Sequence, residues 1–245
     1  MEDTEYDLMA GVEDRMWWYR AVHANLVAAH RRHAGPGRGP ILDAGCGTGG
    51  FLAHFAGADP GRPLVGLDFH PRACAYTRRK TGAAVVAGSI NELPFADGSM
   101  DAIFSSDVLC HRAVDEARAL AEFLRCLKPG GALVLNLPAY EWMKSVHDHR
   151  VHNARRYTRG GLKRTLRAAG FARIHCGYWN TVLFPLMVLR RKLLTSRDEA
   201  SDVMEYPPLL NRLFLALTDL ERAVMRTGAS LPFGGSVLAV AVKAG

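Results

Sequence analysis

Short apolar and β-branched runs recur along this chain at 40–44, 64–68, 84–87, 101–105 and 132–137, and stretches of helical pattern near 49–57, 71–80 and 114–127 separate them. Runs of that length bounded by turn residues read as strands. Strands alternating with helices predict parallel pairing, right-handed crossovers and helices on both faces of the sheet. Upstream, Met16-Trp17-Trp18-Tyr19-Arg20 leads into a helical pattern through about Arg32, which His33-Ala34-Gly35-Pro36-Gly37 stops. Downstream, a capped helix follows Tyr157-Thr158 through Ala169 and ends at Gly170, Phe171–Cys176 reads as a strand, and the last strand is Ser236–Val242. The segment 177–234 breaks the alternation, with apolar stretches Val182–Leu189 and Leu209–Leu220 at helical spacing. With 245 residues, 49% of them hydrophobic, one domain with an insertion is expected. It divides into a helical cap (1–38), a core (39–140), a loop, helix and strand (141–176), a helical insertion (177–234) and the last strand (235–245).

The first strand runs into Asp43-Ala44-Gly45-Cys46-Gly47-Thr48-Gly49-Gly50, a glycine-dense turn that must open a helix. Glycines permit positive φ and let a ligand approach closer than a Cβ would allow, and a helix start offers unpaired N–H groups. The spacing Gly45-x-Gly47-x-x-Gly50 also satisfies the generic dinucleotide pattern, so alone it does not discriminate. Its context does: Pro63–Leu67 ends in Asp68, 21 residues after Gly47, where a ribose diol would lie. Asn91-Glu92-Leu93-Pro94-Phe95, Met100-Asp101-Ala102-Ile103-Phe104 and Leu127-Lys128-Pro129-Gly130-Gly131 then follow in order. Over roughly residues 40–140 the chain resembles the class I S-adenosylmethionine (SAM)-dependent methyltransferases. The resemblance implies an α/β, Rossmann-like, seven-stranded and mostly parallel sheet, in which 171–176 and 236–242 form the final antiparallel pair.

It implies SAM as cofactor, with S-adenosylhomocysteine (SAH) as product. Asp43, Gly45, Cys46 and Gly47 are then placed for the methionine end, Asp68 can accept from both ribose hydroxyls, and Phe69 can cover an adenine edge. Where the family often carries an acid for the adenine amine this chain has Ser89, a weaker acceptor, followed by Ile90. Asp107 follows the fourth strand at the lip of the expected pocket. The family's N-terminal helix would bring Trp18 near the sulfonium and Arg20 to the methionine carboxylate, although adjacent tryptophans are equally packing anchors.

Methyl transfer is an in-line displacement, so the acceptor must be positioned and, unless it is already an anion, deprotonated. Candidates are densest in His147-Asp148-His149-Arg150-Val151-His152-Asn153-Ala154-Arg155-Arg156-Tyr157. His149 or His152 is expected as base or orienting donor, with His111 as a further candidate. Arg155, Arg156, Tyr157 and Tyr140 are expected to fix an anionic group, against the structural alternative that Arg156 and Tyr157 pin the loop. The histidines show no second ligand group at metal spacing, so no metal is expected.

The net charge of +7 equals the seven cations from Arg150 to Arg167, a stretch with no acid among them, so the surplus is local. That favours an anionic small molecule or peptide over nucleic acid. Five dispersed cysteines without a C-x-x-C pair suit reduced thiols. The acidic N-terminus resembles no signal peptide and no run reaches a membrane span, so a cytoplasmic protein is expected. Phe184–Leu189 followed by Arg190-Arg191-Lys192 could lie in a bilayer interface, but such a helix more often faces its own core; the insertion could equally be a lid or a homodimer surface. The leading expectation is methylation of an oxygen, such as a carboxylate, in a biosynthetic intermediate, with nitrogen and carbon acceptors open. A nicotinamide-dependent reductase, which Asp43 before the glycine turn and the Leu127-Lys128-Pro129-Gly130-Gly131 turn disfavour, is the second alternative, and a non-catalytic SAM-binding subunit is the third.

Overall fold

The computed structural model of the protein describes residues 3–35, 37–193 and 205–245. Seven strands form one sheet: β1 (Ile41–Ala44), β2 (Leu64–Asp68), β3 (Ala84–Ala87), β4 (Met100–Ser106), β5 (Leu127–Pro138), β6 (Arg173–Trp179) and β7 (Ser236–Val242). Their order is β3-β2-β1-β4-β5-β7-β6; β7 runs antiparallel to both neighbours and every other pairing is parallel. β1, β7 and most of β4 and β5 are buried on both faces, as their continuous apolar runs require. The winding reverses between β1 and β4, which opens a crevice beyond their carboxyl ends.

The crossovers are α3 (Gly50–Ala58), α4 (Pro71–Thr81) and α5 (Glu116–Cys126). α5 starts where Asp115 accepts from the Arg118 N–H and buries Ala119, Leu120, Phe123 and Cys126, the stripe its spacing predicts. α6 (Val146–Arg150) and α7 (Arg159–Ala168) follow β5, with Thr158 capping α7. β5 starts at Leu127 rather than 132 because the lysine-proline-glycine turn is itself laddered, Leu127 opposite Met100, with a register shift before Ala102. β6 is displaced from 171–176: Phe171 donates its N–H to Leu166 O and enters the core, and pairing with β7 continues to Trp179.

The cap contains α1 (Asp3–Val12), which the acidic N-terminus does not advertise, and α2 (Trp17–His33). The insertion supplies α8 (Phe184–Leu193) and α9 (Pro208–Arg226). Val12, Met16 and Trp17 form a satellite core with Leu183 and Phe214, the Trp17 ring edge-on to Phe214 at 5.5 Å. Asn211 accepts from the Trp17 N–H (2.8 Å) and Glu221 from the Thr181 N–H (2.8 Å). Cap and insertion are thus tied together beside the crevice. The part of the insertion at 194–204 lies outside the described residues. No helix among the described residues is long and apolar enough to cross a membrane.

Candidate active site

The turn after β1 owes its shape to its glycines. Gly45, Gly47 and Gly49 hold φ of 98°, 51° and 91°, a region an L side chain enters only with strain. The N–H groups of Gly45 and Cys46 donate to Leu67 O, binding the turn to β2 at 2.7 and 2.9 Å. Asp68, ending β2, accepts from the N–H of Gly47 (2.9 Å), the N–H of His70 (2.9 Å) and the Tyr6 hydroxyl (3.5 Å). Glu13 accepts from the Gly50 N–H at the start of α3 (3.2 Å) and from Lys80 Nζ (2.5 Å). A Cβ on Gly45 would overlap Val108 Cγ2, and one on Gly47 would lie 2.8 Å from Met9 Cε, so α1 and the loop after β4 close on the turn from two sides.

Three buried carboxylates, Glu13, Asp43 and Asp68, gather here. Burial raises the Asp43 carboxyl well above its usual range and the charges of Asp68 and Glu13 raise it further. Burial raises Asp68 too, against the hydrogen bonds from His70 and Gly47. A cationic ligand would relieve this crowding. Thr48 Oγ1, in the same turn, is buried without a partner among the described residues. A cradle that only glycine fits, an orphaned hydroxyl and surplus negative charge are what a SAM molecule, with its ammonium and sulfonium, requires.

One cavity of about 950 Å³ runs from this turn across the sheet to a wall of opposite charge, lined by His147, His152, Arg156, Arg190 and Arg191. Arg156 and Asp148 form a buried bidentate pair, both bonds 2.9 Å, and Arg191 approaches the same carboxylate at 3.9 Å. Two guanidiniums thus converge on one carboxylate at this wall. Asp107, His152 and Asn180 line the cavity with φ of 57°, 56° and 61°. Strained non-glycine residues of this kind concentrate at functional sites.

Of the residues expected from sequence, Asp43, Gly45, Cys46, Gly47, Asp68, Phe69, Ser89 and Ile90 line the cavity, as do Trp18, Asp107, His111, His152 and Arg156. Phe69 is 80% exposed, a ring at the cavity rim. Burial lowers His111 to about 4, so the ring is neutral near pH 7, with its centroid 6.0 Å from that of His152. Five others lie elsewhere. Arg20 is exposed and opens on a separate depression with His54, Asp219 and Arg222, because α2 turns it away from the glycine turn. His149 projects to solvent from α6. Arg155 is spent on the carbonyls of His111 and Val114, and the buried Tyr157 hydroxyl donates to Glu116 (2.7 Å), with Leu109 O 3.3 Å away. Tyr140 stacks on Tyr178 and Trp142, at 5.3 and 5.9 Å between ring centroids. For Tyr157 the pinning alternative describes its contacts. Alanine at Arg20 is accordingly expected to leave SAH affinity by calorimetry within the roughly 0.5 kcal/mol typical of surface substitutions.

The cavity also holds residues that sequence reasoning missed: Tyr6 and Met9 from α1, Glu13 in the turn after it, and Arg190 and Arg191 from α8. The signal for α1 is Tyr6, Met9 and Val12 at three-residue spacing within the acidic stretch. The α8 arginines carry no local signal of their direction.

Residues 42–135 match the methyltransferase domain family. The chain is 32% identical over 167 residues to a malonyl-[acyl-carrier protein] O-methyltransferase of Methylococcus capsulatus, covering 63% of this chain and 59% of that protein. It is 40% identical over 135 residues to a demethylmenaquinone methyltransferase of Beutenbergia cavernae, covering 54% and 51%. The chain spans only between 35% and 59% of the length of the curated relatives it matches. In fold it is similar to a chain in the complex between the Haloferax volcanii Trm112 methyltransferase activator and a methyltransferase, with TM-score 0.65, 22% identity and coverage of 99% and 96%. At that identity the likeness concerns the fold alone.

Proposed function

We propose that this chain, whose core belongs to the class I SAM-dependent methyltransferase family, methylates an oxygen of a small molecule or peptide that carries a separate anionic group. The observation that carries this reading is the arrangement of one cavity: carboxylates at the glycine turn, guanidiniums at the far wall. When bound, SAM supplies an electrophilic methyl on a sulfonium. Glu13, Asp43 and Asp68 offset its positive charge, Asp68 accepts from its ribose hydroxyls, and Thr48 Oγ1 gains the partner it lacks. Arg156 and Arg191 hold the acceptor's anion. Asn180 Oδ1, buried and without a partner among the described residues, is available to a donor on the same molecule.

Residues of the cap and the insertion line the cavity, and the chain's main contribution is alignment, which can be worth about 7 kcal/mol or more. The malonyl-[acyl-carrier protein] O-methyltransferase relative, whose named substrate bears a carboxylate, is compatible with an anion-holding wall. Titration calorimetry with SAM, SAH and NADH is expected to show binding of the first two only, and SAM affinity should rise with pH as Asp43 and Asp68, both raised by burial, ionise. Binding of NADH, or of none of the three, overturns the reading.

A further inference from the structure

We propose that Asp107 takes the proton from the methyl acceptor, and that Asn136 and Trp179 are positioning residues that hold its carboxylate ready; this rests on the SAM reading above. Asp107 follows β4 with φ of 57°, a backbone conformation that costs a non-glycine residue about 1 kcal/mol or more, and it lines the cavity. Its neighbour Val108 is the residue that a Cβ on Gly45 would strike. Asp107 therefore stands against the glycine turn, between the acidic and basic ends of the cavity.

Its Oδ2 accepts from Asn136 Nδ2 (2.9 Å) and from the Ser106 hydroxyl (3.1 Å), and its N–H donates to Asn136 O (2.8 Å). The Asn136 amide cannot be turned the other way. Trp179 Nε1 donates to Asn136 Oδ1 (2.8 Å), and an indole N–H is only a donor, so the amide oxygen faces Trp179 and the NH₂ group must face Asp107. Asn136 and Trp179 are both wholly buried. An apolar residue at Asn136 would suit the middle of β5 without this arrangement, whereas a buried amide needs all its partners. Asp107 Oδ1 takes no hydrogen bond from any described residue.

The charged and titratable groups that face Asp107 come from several elements: Tyr19 of α2, Cys110 and His111 in its own loop, Asp148 of α6 and Arg156. Burial outweighs the bonds from Ser106 and Asn136 and the Arg156 charge, and pushes the Asp107 carboxyl up to about 6. It is ionised near pH 7 yet more basic than an ordinary aspartate, which suits a general base.

The substrate class narrows in consequence. A carboxylate nucleophile needs no base and would meet a like charge at Asp107. The reacting group is a hydroxyl whose O–H bond breaks as its O–C bond forms and the C–S bond opens; the proton goes to Asp107 Oδ1 and the sulfur keeps the electron pair. The acceptor's anion sits apart, on the arginines.

Calorimetry in buffers of different ionisation enthalpy tests this without the acceptor. The SAM sulfonium beside Asp107 should drive off its proton, and neutral thioether SAH should not. SAM is expected to release most of one proton more than SAH near pH 6, and D107N to abolish that excess. N136L and W179F should move the pH of greatest excess upward, because a carboxylate that loses a donor holds its proton more tightly, while SAH affinity stays within about twofold. Residues with a merely structural role would weaken both nucleosides together and leave that pH unchanged. Equal release from SAM and SAH, or an excess that survives in D107N, overturns the proposal even where the Asn136 and Trp179 variants fail to fold. If neither nucleoside binds, the SAM reading itself has failed.

Discussion

Gly45→Ala is expected to weaken SAM and SAH binding by about 100-fold. At a φ of 98° an alanine backbone is strained by about 1–3 kcal/mol, and its Cβ would fall on Val108 Cγ2. Val108 cannot retreat freely, because Asp107 beside it is fixed by Asn136 and the Asp107 N–H is bonded to Asn136 O. The turn must therefore shift, and with it the N–H groups of Gly45 and Cys46 on Leu67 O and of Gly47 on Asp68. Those bonds aim the first strand's glycine turn at the ligand. Each 1.4 kcal/mol of lost binding is tenfold in affinity, so a shift costing about 3 kcal/mol, the upper end of that strain, lowers affinity by about 100-fold. Gly57→Ala is the control. It lies in the last turn of α3 with open space where the Cβ would stand, and alanine there should leave binding unchanged and raise helix stability by up to about 0.5–1 kcal/mol. Equal losses in both variants would mean that the glycine turn has no special part in binding.

The contrast between those two glycines explains how much could be read in advance. Gly45 declares itself because its demand is local: a strand, a turn with positive φ and a helix start are all within ten residues. The same holds for Asp43, Asp68 and the parallel strands, whose apolar runs are continuous because both faces are covered. Arg156 and Arg155 show the limit. Adjacent in sequence and chemically alike, one reaches Asp148 and lines the cavity, and the other holds the carbonyls of His111 and Val114. Only the loop's path decides which is which. Arg190 and Arg191 read as the charged end of an interfacial helix, yet the packing of α8 beside Met143 and Asn180 turns them toward the cavity, with Arg191 donating to Met143 O. Likewise nothing near Asn136 in sequence announces Trp179, 43 residues away, as the partner that fixes its amide.

Asp148→Asn is expected to destabilise the protein by about 3–5 kcal/mol at neutral pH, the usual effect of removing one member of a buried ion pair. Asp148 is 1% exposed and receives both nitrogens of the Arg156 fork, the Ser145 N–H (2.9 Å) and, at longer range, Arg191. Neutralising it leaves a guanidinium with a side chain only 3% exposed and no counter-charge. For a chain of this size the melting temperature should fall by roughly 6–20 °C. The pH dependence supplies a second check. Burial alone would raise the Asp148 carboxyl, but Arg156, the Ser145 N–H and Arg191 together hold it below the usual aspartate range. A folded value below the unfolded one means that the stabilisation is fully present above the unfolded value of about 4 and is lost as pH falls through the lower folded value. The gap in melting temperature between the parent and D148N should therefore close in acid and stay constant from about pH 5 upward. The double variant D148L/R156M separates stability from use. Apolar side chains of similar volume often replace a buried pair without loss, so this variant should melt near the parent. If Arg156 serves only the loop, its SAH affinity and methyl transfer should also match the parent. If Arg156 holds the acceptor's anion, SAH should still bind while transfer falls by about 30-fold or more, the scale of a lost charge-assisted bidentate contact of about 2–5 kcal/mol. A pair kept for folding alone would give the first result; the placement of Arg156 on the cavity wall leads to the second.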